Sequence, residues 1–213
     1  MIRPASFLCG VFLIWVALDS PLADYDHHLL TVHMIQHLLL MAAASPLILL
    51  AVAPALSGRW HPKPVLCWIV ATLTLIGWHV PVILTMAMQS ELLHAVELSS
   101  FLLAGFLFWW PVVSTDPQWS TVLYLFLATL PCDALAGFLL FSDRVAYPVY
   151  LSMPRHFGLS VVEDQQLAAA LMWTCVTLIY LVPAAIVSTR LLSIDRPVDQ
   201  QQASAHRLRQ QML

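Results

Sequence analysis

The chain has 213 residues, 60% of them hydrophobic and only 10% charged, with a mean hydropathy of +0.80. Soluble domains carry about a quarter charged residues, so this composition belongs to an integral membrane protein. A net charge of −3 without a basic run argues against a nucleic-acid partner, and the four scattered cysteines (Cys9, Cys67, Cys132, Cys175) form neither a disulfide framework nor a Cys-x-x-Cys redox pair.

Six apolar spans are predicted in order, at roughly 5–22, 29–56, 65–88, 92–113, 119–141 and 166–190. All are read as helices, because lipid-facing backbone must satisfy its own hydrogen bonds and nothing here alternates like a barrel strand. The first span follows Arg3 and has the outline of a signal peptide. Cleavage after Ala23 would place Pro21 where a small residue is wanted, so the helix is expected to be retained. The second span runs from Leu29 to Leu56 without a charged residue and begins among four histidines, His27, His28, His33 and His37. Four residues apart, His33 and His37 share one helix face, and Met34, Gln36 and Met41 lie beside them.

The third span carries His79 just before Pro81, and the fourth opens with His94 and Glu97, three apart on one face. Asp133 falls in the fifth, while Gln165, Gln166 and Met172 begin the sixth. Prolines 62, 64, 111, 117, 148 and 154 mark the joints. One transmembrane helical domain is expected over 1–194, followed by a polar, Gln-rich cytoplasmic tail over 195–213.

Lys and Arg set the orientation. With six spans, Arg3, Arg59, Lys63, Arg190, Arg196, Arg207 and Arg209 fall on one side, against Arg144 and Arg155 on the other. Both termini are therefore expected in the cytoplasm. The same topology places His33, His37, His79, His94, Glu97 and Asp133 in the outward half of the membrane. At about 1.5 Å per residue, His37 lies some 15 Å below a helix start near His27.

Imidazole and carboxylate groups gathered at one depth suit a transition metal, and thioether sulfur favours reduced copper. Glu97 and Asp133 serve as ligands or as acceptors that fix histidine tautomers. Each residue also has a plainer account. A lone intramembrane histidine hydrogen-bonds a neighbouring helix, and Met34, Met41 and Met172 read first as packing. Paired histidines from two helices would also ligate haem, and a metal transporter is a further alternative. His-Glu-x-x-His is absent and no nucleophile–base pair is evident, so no enzyme is expected.

His33-Met34-Ile35-Gln36-His37-Leu38-Leu39-Leu40-Met41 resembles the His-Met-x-Gln-His-Leu-Leu-Leu signature of the multi-spanning CtaG-type cytochrome c oxidase assembly factors. Trp78-His79-Val80-Pro81, Glu91 to Glu97, Phe108 to Val112, Phe141 to Arg144 with Tyr147 to Tyr150, and Glu163 to Gln166 with Met172-Trp173 agree in order, from about Phe7 to Val187. Leu98 stands where the family often has a second histidine, and Ala168-Ala169 replace a usual Gly-Gly. The resemblance implies a multi-pass protein of the bacterial inner membrane that helps mature a haem–copper terminal oxidase at its copper-containing subunits. The expected site is a copper-holding cavity lined by His33, His37, His79, His94, Glu97 and Asp133, with Asp164 and Gln166 orienting it or touching the client.

Overall fold

The computed structural model describes residues 3–56, 62–154 and 158–211, and the side chains of all of these except 54 and 194–211. Arg59, His61, Arg155 and His156 lie outside the described residues, as do the side chains of Arg196, His206, Arg207 and Arg209.

Every regular element among the described residues is helical. Helix α1 (Pro4–Asp19) is followed by a 3-10 turn (Ala23–Tyr25) and α2 (Leu30–His37). A π-helical stretch (Leu38–Ala44) carries α2 into α3 (Ser45–Leu56) without a loop. Then come α4 (Pro64–Trp78), α5 (Pro81–Met88), α6 (Glu91–Ser114), α7 (Trp119–Leu140), a second 3-10 turn (Pro148–Ser152) and α8 (Val161–Gln211). Five single segments are long and apolar enough to cross a membrane, and α4 with α5 makes a sixth, bent by 73°. Leu8, Leu73, Leu103, Phe138 and Leu178 are each more than half exposed, as expected of side chains that meet lipid.

Contacts fix the vertical order. His94 in the first turn of α6 bonds Asp26, just before α2. Asp164 in the first turn of α8 bonds Leu30 and Thr31 at the start of α2. One end of the bundle therefore holds the starts of α2, α6 and α8. The start of α4 (Pro64, Val65, Trp68) shares a groove with Pro111, Val112 and Thr115 near the end of α6, at the opposite end. The bent pair thus runs between the two ends of the bundle as a unit. The sequence-predicted third span is a broken helix rather than a straight one.

Each irregularity has a local cause and a repair. Pro81 has no N–H and holds Val80 extended (φ −66°, ψ 125°), which ends α4. The hydroxyl of Tyr147 donates to the His79 carbonyl at 3.1 Å, at this break. In the π register the Met41 carbonyl would be met by the amide of residue 46, but Pro46 has none to give. The indole Nε1 of Trp109 donates to that carbonyl instead, at 3.1 Å. Ser45 Oγ donates to the Leu40 carbonyl at 2.7 Å. The sixth span begins earlier than hydropathy predicts, because Ser160 and Glu163 form a reciprocal capping box: Ser160 N–H to Glu163 at 2.7 Å and Glu163 N–H to Ser160 at 3.2 Å.

Helix α6 approaches the π stretch closely at Gly105. A Cβ there would sit 2.8 Å from the Met41 carbonyl oxygen and 2.9 Å from its Cα. Backbone cannot move aside as a flexible side chain would, so Gly105→Ala is expected to lower stability by about 1–3 kcal/mol, the usual cost of overpacking. Gly137→Ala meets nothing within 4 Å and should be neutral or slightly stabilising. Thermal unfolding of both variants in detergent checks the contrast.

Candidate metal centre

Helices α2 and α6 lie side by side with their starts at the same level, so residues a turn or two into each meet. His33 and His37 descend one face of α2; His94 and Glu97 descend one face of α6. All four are buried, with Glu97 and His33 fully so. The Glu97 carboxylate is the centre. Its Oε1 is 3.2 Å from His33 Nε2 and 3.4 Å from His37 Nε2, and its Oε2 is 3.3 Å from His94 Nδ1. The His37 contact lacks hydrogen-bond geometry, and both nitrogens of that ring are without a hydrogen-bond partner. His37 is instead stacked on Phe101, with ring centroids 3.8 Å apart.

Behind this group sits Asp26. Its Oδ2 accepts from His94 Nε2 at 2.8 Å and from Gln36 Nε2 at 3.2 Å, while its Oδ1 accepts from His27 Nδ1. Gln36 also donates to the Ala17 carbonyl at 3.0 Å, tying α1 to the site. Among the described residues, neither carboxylate pairs with Lys or Arg. His94 therefore faces a carboxylate on each side of its ring. Satisfying both takes two protons, or one proton and one metal ion. Donor atoms of His33, His94 and Glu97 all lie within 4.8 Å of one another, as do those of Asp26, His27 and His94. His94 bridges the two groups.

The remaining sequence candidates are placed as follows. His79 lies below, its ring centroid 5.9 Å from that of His37 and its Nε2 3.2 Å from Met34 Sδ. Met41 and Met172 line a cavity with Met34, His37 and His79. Asp133, on α7, has a buried Oδ1 without a hydrogen-bond partner and takes no part in the Glu97 network. Asp164 accepts from the Leu30 amide at 2.7 Å, the Thr31 amide at 3.2 Å and the Thr31 hydroxyl at 2.6 Å, capping α2 from another helix. Gln166 is half-buried. Its neighbour Gln165 holds the loop between α7 and α8, accepting from the Ala146 amide at 2.8 Å and donating to the Leu139 and Arg144 carbonyls at 3.2 Å each. Sequence reasoning missed the parts played by Asp26 and Gln165: Asp26 sits in a turn, and Gln165, though on the buried face of α8, bonds to loop backbone that no periodicity locates.

Burial opposes charge on Asp26, but hydrogen bonds from His27 and His94 outweigh it and hold the carboxyl well below its ordinary range. The bond to Asp26 raises His27 above the ordinary imidazole value of 6.5. A raised imidazole contributes stability that is complete below the unfolded value and is lost as pH rises through the folded one. Metal-free protein should therefore lose melting temperature as pH climbs from about 6.5, and His27→Ala should flatten that slope. Asp164→Ala leaves two amides at the start of α2 without acceptors and is expected to cost about 2 kcal/mol, with Asp164→Asn losing less; chemical or thermal unfolding measures both.

The model of a family described as cytochrome c oxidase caa3 assembly factor (Caa3_CtaG) matches residues 1–193. No curated protein and no solved structure matches the chain.

Proposed function

The chain belongs to the cytochrome c oxidase caa3 assembly factor family, and from that membership we propose that it supplies or holds copper for a haem–copper oxidase while the oxidase is assembled. The observation that carries this reading is Glu97, a carboxylate with no solvent exposure, ringed by three imidazoles in a membrane protein. An unpaired buried charge is costly. Nitrogen and carboxylate donors at this spacing form a ready set for a divalent or monovalent transition-metal ion. Asp26, itself held by a hydrogen bond from Gln36, fixes the far ring nitrogen of His94 in the way that supporting acceptors orient metal-binding histidines.

An ion fits better than haem. The cavity beneath His37 and His79 is about 50 Å³, little more than one or two waters occupy. The role is non-catalytic: the residues bind and release an ion and break no bond. The chain sits in the bacterial inner membrane with six passes, and the excess of Lys and Arg at the end opposite the site puts that end in the cytoplasm. The cluster then opens toward the compartment in which the copper-containing subunits of the oxidase expose their unmetallated sites. The outer loop held by Gln165, together with Gln166, offers the face nearest the site for those subunits.

Metal measurement on purified protein from copper-supplemented cells tests this reading. The parent should carry close to one copper per cluster, and His33→Ala/Glu97→Gln should lose it. Asp26→Asn, which weakens the support of His94 without touching the Glu97 carboxylate, should weaken copper binding by about 10–100-fold. Oxidase assembled beside the double variant should retain haem and lack copper. Copper retention equal to the parent, or normal copper in the oxidase, rejects the proposal.

A further inference from the structure

We infer that the cavity below the Glu97 cluster is a second, sulfur-rich site that takes a monovalent soft cation, Cu(I) in the cell. It rests on the metallation reading above and goes beyond it in assigning a separate site with its own ligand chemistry. Six soft or borderline donors line the cavity: the thioethers of Met34, Met41 and Met172, the thiol of Cys132, and the imidazoles of His37 and His79. They come from α2 and the π stretch that follows it, from α7, from α8 and from the joint between α4 and α5. Packing explains a single methionine at a helix interface. It does not explain why sulfur from three separate stretches of chain and two histidines share a cavity of about 50 Å³.

Two observations point to a ligand. The first is His79. Its Nδ1 lies 2.7 Å from the Leu75 carbonyl, which can only accept, so Nδ1 carries the proton. In the neutral ring Nε2 then presents a lone pair, and 3.2 Å away it faces Met34 Sδ, which also has only lone pairs to offer. Two acceptors facing each other in an apolar cavity lack a hydrogen between them. A proton there would bury an imidazolium against one of the weakest acceptors in proteins; a soft cation satisfies both atoms at once. The second is His37, 5% exposed, whose ring lines the cavity with no hydrogen bond at either nitrogen. Its Nε2 is 3.4 Å from Glu97, so the same ring forms the wall between the nitrogen–carboxylate cluster above and the sulfur-lined cavity below.

The two sites differ in softness. Oxygen and nitrogen donors accept several transition metals, whereas thioether sulfur selects Cu(I) and its close analogue Ag(I) and offers little to zinc or manganese. Placed beneath the outer cluster, the cavity gives the bundle a compartment that hard divalent ions do not enter. No change of oxidation state is required of the protein.

The test uses the full-length protein in detergent, with Ag(I) as a redox-inert probe and Cu(I) under anaerobic reductant against a cuprous chelator. X-ray absorption on the loaded parent should show sulfur scatterers around the metal. Met34→Leu/Met41→Leu/Met172→Leu conserves volume, so the fold should survive. Its Ag(I) affinity should fall by about a hundredfold or more, exceeding the ~10–100-fold typical of residues one step removed from a metal. His94→Ala/Glu97→Gln should retain the sulfur-bound ion. A metal shell of nitrogen and oxygen alone, failure of the parent to take up Ag(I), or parent-like affinity in the folded triple variant overturns the assignment. If the triple variant does not fold, the absorption spectrum of the parent decides by itself. Normal oxidase copper in the His94/Glu97 variant would count against the metallation reading alone, because sulfur ligation in the cavity is scored separately.

Discussion

A carboxylate that cannot reach water organises this protein. An acidic side chain buried in a membrane helix without a partner is costly. Glu97 has no Lys or Arg partner among the described residues. Its compensation comes from imidazoles on its own helix and on α2, which commits those two helices to a fixed depth and a fixed rotation. Asp26 then fixes the far side of His94, and Gln36 carries the same network back to α1. A chain of polar contacts through three helices thus replaces the water that a surface carboxylate would use.

The backbone around this centre is unusually irregular, and the irregularities cluster. A π stretch starts one residue after His37, a broken helix turns at His79, and α2 begins under a cap borrowed from α8. Non-helical backbone at membrane depth survives only where it is enclosed by protein or lines a cavity. Here a side chain from another element completes each break: Trp109 at Met41, Tyr147 at His79, Asp164 at Leu30. Such repairs keep donor-bearing segments in shapes that a regular helix could not adopt, with the result that His79 and Met34 come within 3.2 Å of each other.

Much of this was legible in the sequence, for physical reasons that differ from residue to residue. Apolar length read out the spans; Pro81 was seen inside the third, but the 73° bend that breaks the helix there was not. Depth along each helix placed His33, His37, His94 and Glu97 at one level, but depth alone cannot tell which helices touch. Asp133 shares the level and stands on α7, outside the Glu97 network. Asp26 was invisible as a network member because it sits in a turn, where no periodicity points a side chain anywhere. The sequence marked Asp164 only as a residue beside a loop; the three hydrogen bonds its carboxylate accepts depend on the long-range pairing of α8 with α2. The start of α8 could have been read from Ser160 and Glu163, whose spacing is that of a capping box.

The π stretch has one more consequence, which concerns counting rather than chemistry. Each residue of an α-helix advances the rotation by about 100°, and a π turn absorbs one residue more than an α turn does. The extra residue is thus taken up inside the stretch: the same residues rewound as plain α-helix, with none removed, would turn the histidine-bearing half through about 100° relative to the half that packs on Gly105 and Trp109. Loss of one residue from the stretch, by contrast, can be absorbed by a return to α-helix that leaves the two halves facing as before. In this helix the winding of one short run keeps His33 and His37 turned toward Glu97.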